Sequence, residues 1–298
     1  MNKEFLDLAE QLKSSVSCTV RLNELMSGHT SFKIGGPADI LVLPESIEQL
    51  REVLKVVKET VVPLTLLGNG SNVLVRDKGI RGIVIKLGNM LRHFYEAEDL
   101  LVFGSGYSLA LASYKAMECG KTGMEFAVGI PGSIGGAVYM NAGAYDGEMQ
   151  NIVNCVKVMD LQGNERVLTA EELNFGYRKT SLQNSGLIVT EVTLKMPSGN
   201  KDEIKSKMDD FSHRRISKQP LEMPSAGSMF KRPPGYFAGT LIDQAGLKGY
   251  TVGGAQISTK HAGFVVNVGG ATAADVLQLI KDVQTKIKAG VGVELQPE

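Results

Sequence analysis

Chemistry in this 298-residue chain starts with backbone amides rather than with a reactive side chain. Glycine accounts for 34 residues, about one in nine against a usual ~7%, and these glycines fall in clusters. One cluster, Leu67-Gly68-Asn69-Gly70-Ser71-Asn72, directly follows an apolar run. Glycine admits positive φ and lets a backbone approach a ligand closely, and successive N–H groups can form an anion-binding concavity. Ser71 and Asn72 add side-chain donors. A tight turn between strands accounts for the same residues equally well. The cluster is not a Walker loop, since no Gly-Lys-Ser/Thr follows, and it is not a Gly-x-Gly-x-x-Gly dinucleotide fingerprint.

A second cluster, Gly129-Ile130-Pro131-Gly132-Ser133-Ile134-Gly135-Gly136-Ala137, continues with small residues and no charge as far as Tyr145. Such a segment makes a poor surface loop and suits contact with a flat, apolar, phosphate-bearing ligand. Close packing of two backbone segments is the alternative. A third cluster, residues 30–39, places Lys33, Gly35 and Gly36 just ahead of the first predicted strand of the globular region.

Two further side chains admit a chemical reading beside a bland one. Arg178, in Phe175-Gly176-Tyr177-Arg178-Lys179, is permanently cationic and can hold a carboxylate bidentately; outside a site it would be a surface arginine. Ser228 lies among the small residues Ala226 and Gly227, so its hydroxyl can project into a narrow pocket, although a turn serine is the commoner case. The four histidines, His29, His93, His213 and His261, have no metal-ligand spacing, and no metal is expected. Cys18, Cys119 and Cys155 are scattered and odd in number, which reads as reduced thiols.

Composition bounds the partners. Thirty-two basic residues balance 32 acidic ones, so no global field draws the chain to nucleic acid or to an anionic membrane. Acidic residues near the start make a poor signal peptide, and no run approaches the ~20 apolar residues that span a bilayer. The expectation is a soluble, cytoplasmic protein, with a monomer as the default.

The elements that must position these residues follow from periodicity. Residues 3–13 read as an amphipathic helix with Phe5, Leu8 and Leu12 on one stripe. A strand over 39–44 leads to a helix capped by Ser46, with Gln49 completing a capping box and Leu50, Val53, Leu54 and Val57 buried. A second strand over 61–67 ends at Gly68. Further strands are predicted at 83–85, 100–103, 153–159 and 187–194, interrupted by a helix from Ser108 to Gly120. A helix from Asn200 buries Ile204, Met208 and Phe211, and a last helix runs from the Thr272 cap to Gly290. Domain boundaries are placed near 76 and 197, giving residues 1–76, 77–196 and 197–298.

The three clusters in this order resemble the FAD-binding half of the UDP-N-acetylenolpyruvoylglucosamine reductases, the MurB family, within the vanillyl-alcohol-oxidase-like flavoproteins. The likeness carried by Lys33-Ile34-Gly35-Gly36-Pro37-Ala38-Asp39, the Gly68–Asn72 cluster and the segment 129–145 covers about nine tenths of the chain. It implies an α+β fold in which two FAD-binding subdomains precede a C-terminal substrate domain. It also implies dissociable FAD between the first two domains. The cofactor residues it points to are Lys33, Gly35, Gly36, Gly68, Asn69, Gly70, Ser71, Asn72, Gly129, Pro131, Gly132, Ser133, Gly135, Gly136 and Ala137. NADPH is the implied hydride donor, and the substrate is a UDP-sugar carrying an enolpyruvyl group.

The same resemblance implies Arg178 at the substrate carboxylate with Tyr177 beside it, and Ser228 as proton donor. It makes Lys218 and Arg232 diphosphate partners and puts His261 at the pocket. The family's catalytic glutamate, in a Leu-x-x-Glu context, selects Glu298, with Glu294 as the alternative. Asp146 stands where the family often has glycine. The 50-residue spacing from Arg178 to Ser228 resembles the shorter form of the family, which lacks an inserted tyrosine loop. An oxidase of a small alcohol or sugar, and a non-catalytic nucleotide-binding module, are the competing readings.

Overall fold

The computed structural model describes residues 3–88 and 90–298. The chain forms two compact units, one made of Met1–Glu24, Asp39–Asn69 and Arg81–His213, the other of Leu25–Ala38, Gly70–Ile80 and Arg214–Glu298. Helix and strand are mixed throughout, the α+β class expected from the sequence.

The first unit holds most of a four-stranded sheet ordered Thr19–Leu25, Pro37–Leu43, Ile80–Lys86, Leu64–Leu67. The predicted strand–helix–strand is present as Pro37–Leu43, the helix Ile47–Lys58, and Leu64–Leu67. Ile80–Lys86 lies between the two strands and runs parallel to Leu64–Leu67. Ser46 caps the helix by accepting the Gln49 N–H at 3.2 Å. The Gln49 side chain reaches back to the Glu45 N–H (2.8 Å) instead of the Ser46 N–H, so the capping box is displaced by one residue. Leu50, Val53, Leu54 and Val57 are all buried, as their spacing requires. The strand expected over 61–67 starts only at Leu64. Pro63 has no N–H to give the ladder; only its carbonyl takes part, accepting from Ile83 at 2.9 Å.

The second sheet of this unit is antiparallel, in the order Glu165–Thr169, Val153–Met159, Ile188–Lys195, Leu100–Gly104, Phe94–Ala97. Its apolar face packs on the helix Leu109–Glu118, which Ser108 caps, around Phe103, Leu109, Ala112, Val156 and Val192. Inside the second glycine cluster lies a six-residue helix, Ile134–Tyr139, that periodicity does not reveal. Two of its six residues are glycine, each costing about 1 kcal/mol relative to alanine. It is held by burial of Ile134, Ala137 and Val138 in the same core.

The second unit contains the antiparallel sheet Ser225–Ser228, Phe264–Asn267, Ala255–Ile257, Thr251–Val252. The helix Ala273–Val291 starts at the expected Thr272 cap, and Asp275 completes a capping box with it. It continues through Gly290 and stops at Gly292, which takes the left-handed cap conformation (φ +72°) and donates its N–H to the Lys288 carbonyl. Val276, Leu279, Ile280, Val283 and Ile287 pack with Phe32, Ile34, Ile257 and Val265 to form this unit's core. The helix Lys201–Lys218 runs from one unit into the other, and Ile204, Met208 and Phe211 are buried against Val128 within the first.

Candidate active site

The glycines divide by what surrounds them. In the second unit, a Cβ on Gly36 would lie 1.9 Å from the Asp77 carbonyl oxygen, and one on Gly79 would lie 1.8 Å from that of Pro37. A Cβ on Gly70 would meet the His29 oxygen at 2.2 Å. The Gly36 N–H bonds the Arg76 carbonyl (3.1 Å) and the Ser31 N–H bonds that of Gly70 (3.0 Å). Close crossing of two backbone segments therefore explains Gly36 and Gly70 without any ligand. Lys33 sits at the exposed tip of this segment with φ +56°. Asn267 braces that tip from below, donating to the Phe32 carbonyl at 3.2 Å.

The first unit presents a different arrangement. Ser133 caps the helix Ile134–Tyr139, its Oγ accepting the Gly136 N–H at 3.3 Å. A Cβ on Gly68 would come to 3.1 Å from that same Oγ, and one on Gly136 to 3.3 Å. Gly68, Ser133 and Gly136 thus line a cradle that added side chains would begin to fill. Gly129 and Gly132 need positive φ (72° and 129°) to shape the approach. Gly135 serves packing instead: its N–H bonds the Ser105 carbonyl at 2.9 Å, and a Cβ would lie 2.7 Å from that of Ser105. The exposed Pro131 lies between these glycines, and Ala137 is buried in the core. Asn69 lies along Gly88, where a Cβ would sit 2.4 Å from its Oδ1. Ser71 is half-buried and Asn72 exposed.

Arg178 belongs to the same unit. Gly176 and Lys179 exchange backbone hydrogen bonds (2.9 and 3.1 Å) around a tight turn, and Arg178 occupies its third position with φ +54°. That is the glycine position of a type II turn, so a side chain there is strained. The guanidinium donates to the Asn141 carbonyl (3.3 Å) and the Gly143 carbonyl (3.0 Å). Tyr177, half exposed, stacks on it with 5.0 Å from Cζ to the ring centroid. The turn is clamped further by Thr180 Oγ1, which donates to the Tyr139 carbonyl at 2.9 Å. Gln183 donates to the Arg178 carbonyl at 3.1 Å. Asn141, fully buried with φ +43°, is the residue that sequence reasoning passed over. Its only signal was an amide, able to donate and accept, amid glycine and alanine.

In the second unit, Ser228 ends its strand opposite Phe264 and is exposed. The preceding Gly227 has φ +87° with open space where a Cβ would go. The chain end lies along the next residues. Phe230 pairs with Pro297, the Lys231 N–H donates to the Gln296 carbonyl (2.8 Å), and the Glu298 N–H donates to the Met229 carbonyl (3.0 Å). Buried Leu295 anchors this segment. Glu298 is therefore half-buried beside the residue that follows Ser228, whereas Glu294 is exposed and ion-paired with Lys288.

His261 is half-buried in a slot between two glycines. A Cβ on Gly239 or Gly263 would lie 3.2 or 3.0 Å from its Cε1. Its Nδ1 accepts the Gly263 N–H at 3.0 Å, which leaves the proton of the neutral ring on Nε2. Burial pushes its pKa down from 6.5, and the Lys248 and Lys218 ammonium groups push it further, with Asp243 opposing. Lys218 is exposed at the end of its helix. The Arg232 guanidinium stacks on Phe237 at 3.9 Å. Ser228, Glu298, His261, Lys218 and Arg232 are thus carried by one unit, and the Gly68–Ser133–Gly136 cradle, Tyr177 and Arg178 by the other.

Known proteins show the same plan. Residues 38–169 match an FAD binding domain and residues 219–298 match the UDP-N-acetylenolpyruvoylglucosamine reductase C-terminal domain. A UDP-N-acetylenolpyruvoylglucosamine reductase of Clostridium perfringens is 50% identical over 295 residues, covering 99% of this chain and 96% of the relative. That of Clostridioides difficile is 49% identical over 279 residues, covering 94% and 92%. The crystal structure of the Thermus caldophilus reductase (MurB) superposes with a TM-score of 0.80 at 39% identity, over 94% of this chain and 98% of the other. The chain accordingly belongs to the UDP-N-acetylenolpyruvoylglucosamine reductase family and is an FAD-dependent oxidoreductase of peptidoglycan-precursor synthesis.

Proposed function

We propose that this enzyme uses NADPH and non-covalent FAD to reduce the enolpyruvyl double bond of UDP-N-acetylglucosamine enolpyruvate, giving UDP-N-acetylmuramate. The cradle supports FAD binding: Gly68 and Gly136 leave room above Ser133 where Cβ atoms would intrude. Gly129, Gly132 and the Gly68–Asn69 backbone lie on the same unit's glycine segments. When bound, FAD reduced by NADPH supplies the hydride.

The substrate's double bond is conjugated to a carboxylate, so hydride arriving at the terminal carbon sends negative charge through the adjacent carbon onto that carboxylate. Arg178 stabilises this charge. Its placement carries the reading: a permanent cation forced into a left-handed turn position and tied to carbonyls 141 and 143. Such preorganised groups are worth on the order of 10²–10³ in rate. Ser228 Oγ then gives its proton to the adjacent carbon, which completes the addition of one hydride and one proton. Glu298, held against Met229, supports Ser228 and the charged site. Tyr177 lines the carboxylate subsite, while Lys218, Arg232 and His261 contact the UDP-sugar. Burial, helped by Lys248 and Lys218, biases His261 toward its neutral form, and with Nδ1 accepting from Gly263 it acts as an Nε2–H donor. The reading also takes the enzyme as a cytoplasmic monomer. Among the described residues no helix is long and apolar enough to cross a membrane, and sedimentation would decide the oligomeric state.

The test is NADPH oxidation stimulated by the enolpyruvyl UDP-sugar, with Arg178→Ala and Ser228→Ala beside the parent. Ser228→Ala should keep flavin reduction by NADPH and block turnover. NADPH oxidation that ignores this substrate and responds to a simple alcohol or sugar would replace the proposal with an oxidase reading.

A further inference from the structure

We infer that Asn141 is a positioning residue for Arg178: its buried side-chain amide sets where the guanidinium stands. The inference rests on the carboxylate role proposed for Arg178. Asn141 is completely buried, yet both of its side-chain N–H bonds go to segments that frame that arginine. Nδ2 donates to the Gly176 carbonyl (3.0 Å), at the start of the Arg178 turn, and to Glu148 Oε2 (3.1 Å). Oδ1 accepts the Gln150 N–H at 3.0 Å. Its main-chain carbonyl receives Arg178 Nη1, while Nη2 goes to Gly143 two residues on. One residue thus holds the turn by its side chain and the guanidinium by its backbone.

The amide is chemically specific at this point. Both of its N–H groups and its oxygen are engaged, toward a carbonyl, a carboxylate and an amide donor. Aspartate would offer oxygen to two acceptors, and alanine would leave the Gly176 carbonyl without its bond. Asparagine also tolerates the left-handed φ of +43° better than most residues. Glu148 is paired with Gly143 across a short hairpin, so the amide links the carbonyl that receives Nη2 to the turn that carries Arg178. A displacement of order 1 Å in such a group can cost 10²-fold in rate.

Asn141→Gly separates the two functions of the residue, since glycine keeps the positive φ and the main-chain carbonyl while removing the side chain with its amide. We expect it to keep FAD affinity and flavin reduction by NADPH within about twofold, and to slow reoxidation by the enolpyruvyl substrate about 10²-fold. In the FAD-free protein, amide exchange at Gly176 and Lys179 should accelerate at least about tenfold while Gly135 stays unchanged. In an Arg178→Ala background the same substitution should add nothing to the loss of reoxidation, because the groups act as one unit. Equal losses in both half-reactions, unchanged exchange at Gly176 and Lys179, or losses that multiply with Arg178→Ala would each overturn the inference. Arg178→Ala alone keeps the two proposals apart. If it leaves reoxidation intact, the carboxylate role is wrong. If it abolishes reoxidation while Asn141→Gly does not, only the role of Asn141 falls.

Discussion

The glycines around Gly36 and those around Gly136 look alike in sequence and have opposite causes. At the first group the space beyond Cα is full. The Asp77 and Pro37 carbonyls stand under 2 Å from the Cβ that Gly36 and Gly79 lack. At Gly68 and Gly136 the nearest atom is the Ser133 Oγ, just over 3 Å away. One set lets backbone cross backbone, and the other leaves the space beside Ser133 open, where the proposed FAD would lie. Glycine clustering by itself says only that a side chain is unwelcome; the neighbour decides why.

The widest test of this contrast is a pair of alanine substitutions. Gly36→Ala drives a methyl into a carbonyl on a segment pinned by its own hydrogen bonds, beyond the 1–3 kcal/mol usual for overpacking. We expect about 3 kcal/mol or more of lost stability by chemical denaturation. Gly68→Ala asks Ser133 Oγ to yield by only a few tenths of an ångström. Its stability should stay within about 1 kcal/mol of the parent while FAD affinity falls tenfold or more, a further ~1.4 kcal/mol, read by flavin fluorescence titration. If Gly36→Ala proved as stable as the parent, or Gly68→Ala kept full FAD affinity, the distinction between the two groups would be lost.

How much of this was legible in sequence depends on range. The helices Ile47–Lys58, Lys201–Lys218 and Ala273–Val291 announce themselves because a 3.6-residue period is written within each. Thr251–Val252 and Ala255–Ile257 are too short to show any period, and the helix Ile134–Tyr139 is hidden by its own glycines. The site shows the same gradient. Arg178 as a cation and Ser228 as a hydroxyl among small residues have a physical reading, but the family likeness is what points to them. Glu298 was reached only through family likeness, because what holds it is a bond to Met229, 69 residues earlier. Asn141 escaped because its partner, Gly176, is 35 residues away.

A third use of glycine makes room for a side chain, at the His261 slot between Gly239 and Gly263. Burial there favours the neutral imidazole, so the folded pKa lies below the ordinary 6.5. The unfolded chain binds the proton more readily. The slot's contribution is therefore complete above about pH 6.5 and declines as pH falls through 6.5 toward the folded value. Nuclear magnetic resonance should find the His261 midpoint below 6.5, and His261→Gln should flatten the fall in melting temperature between about pH 7 and pH 5. A midpoint above 6.5 would mean that the slot stabilises the cation, and glycine would then be making room for charge.

The smallest effect is expected where conformation favours glycine and the chain has none. Ala144 and Gly147 pair across a two-residue turn whose central residues, Tyr145 and Asp146, both have positive φ (49° and 63°). That is the type I′ hairpin turn, which prefers glycine at its second central position. Tyr145 is kept in place by stacking on Phe211, with centroids 4.4 Å apart and planes 15° from parallel. Asp146 is exposed and has no such compensation from packing. The left-handed conformation costs a typical residue about 1–2 kcal/mol and aspartate less, while glycine adds about 0.4–1 kcal/mol of unfolded-state entropy. These nearly cancel, so Asp146→Gly should stabilise the protein by no more than about 1 kcal/mol, with turnover unchanged. A loss of more than about 1 kcal/mol would show that the aspartate side chain itself holds the turn, and that glycine is unwelcome even where its backbone fits.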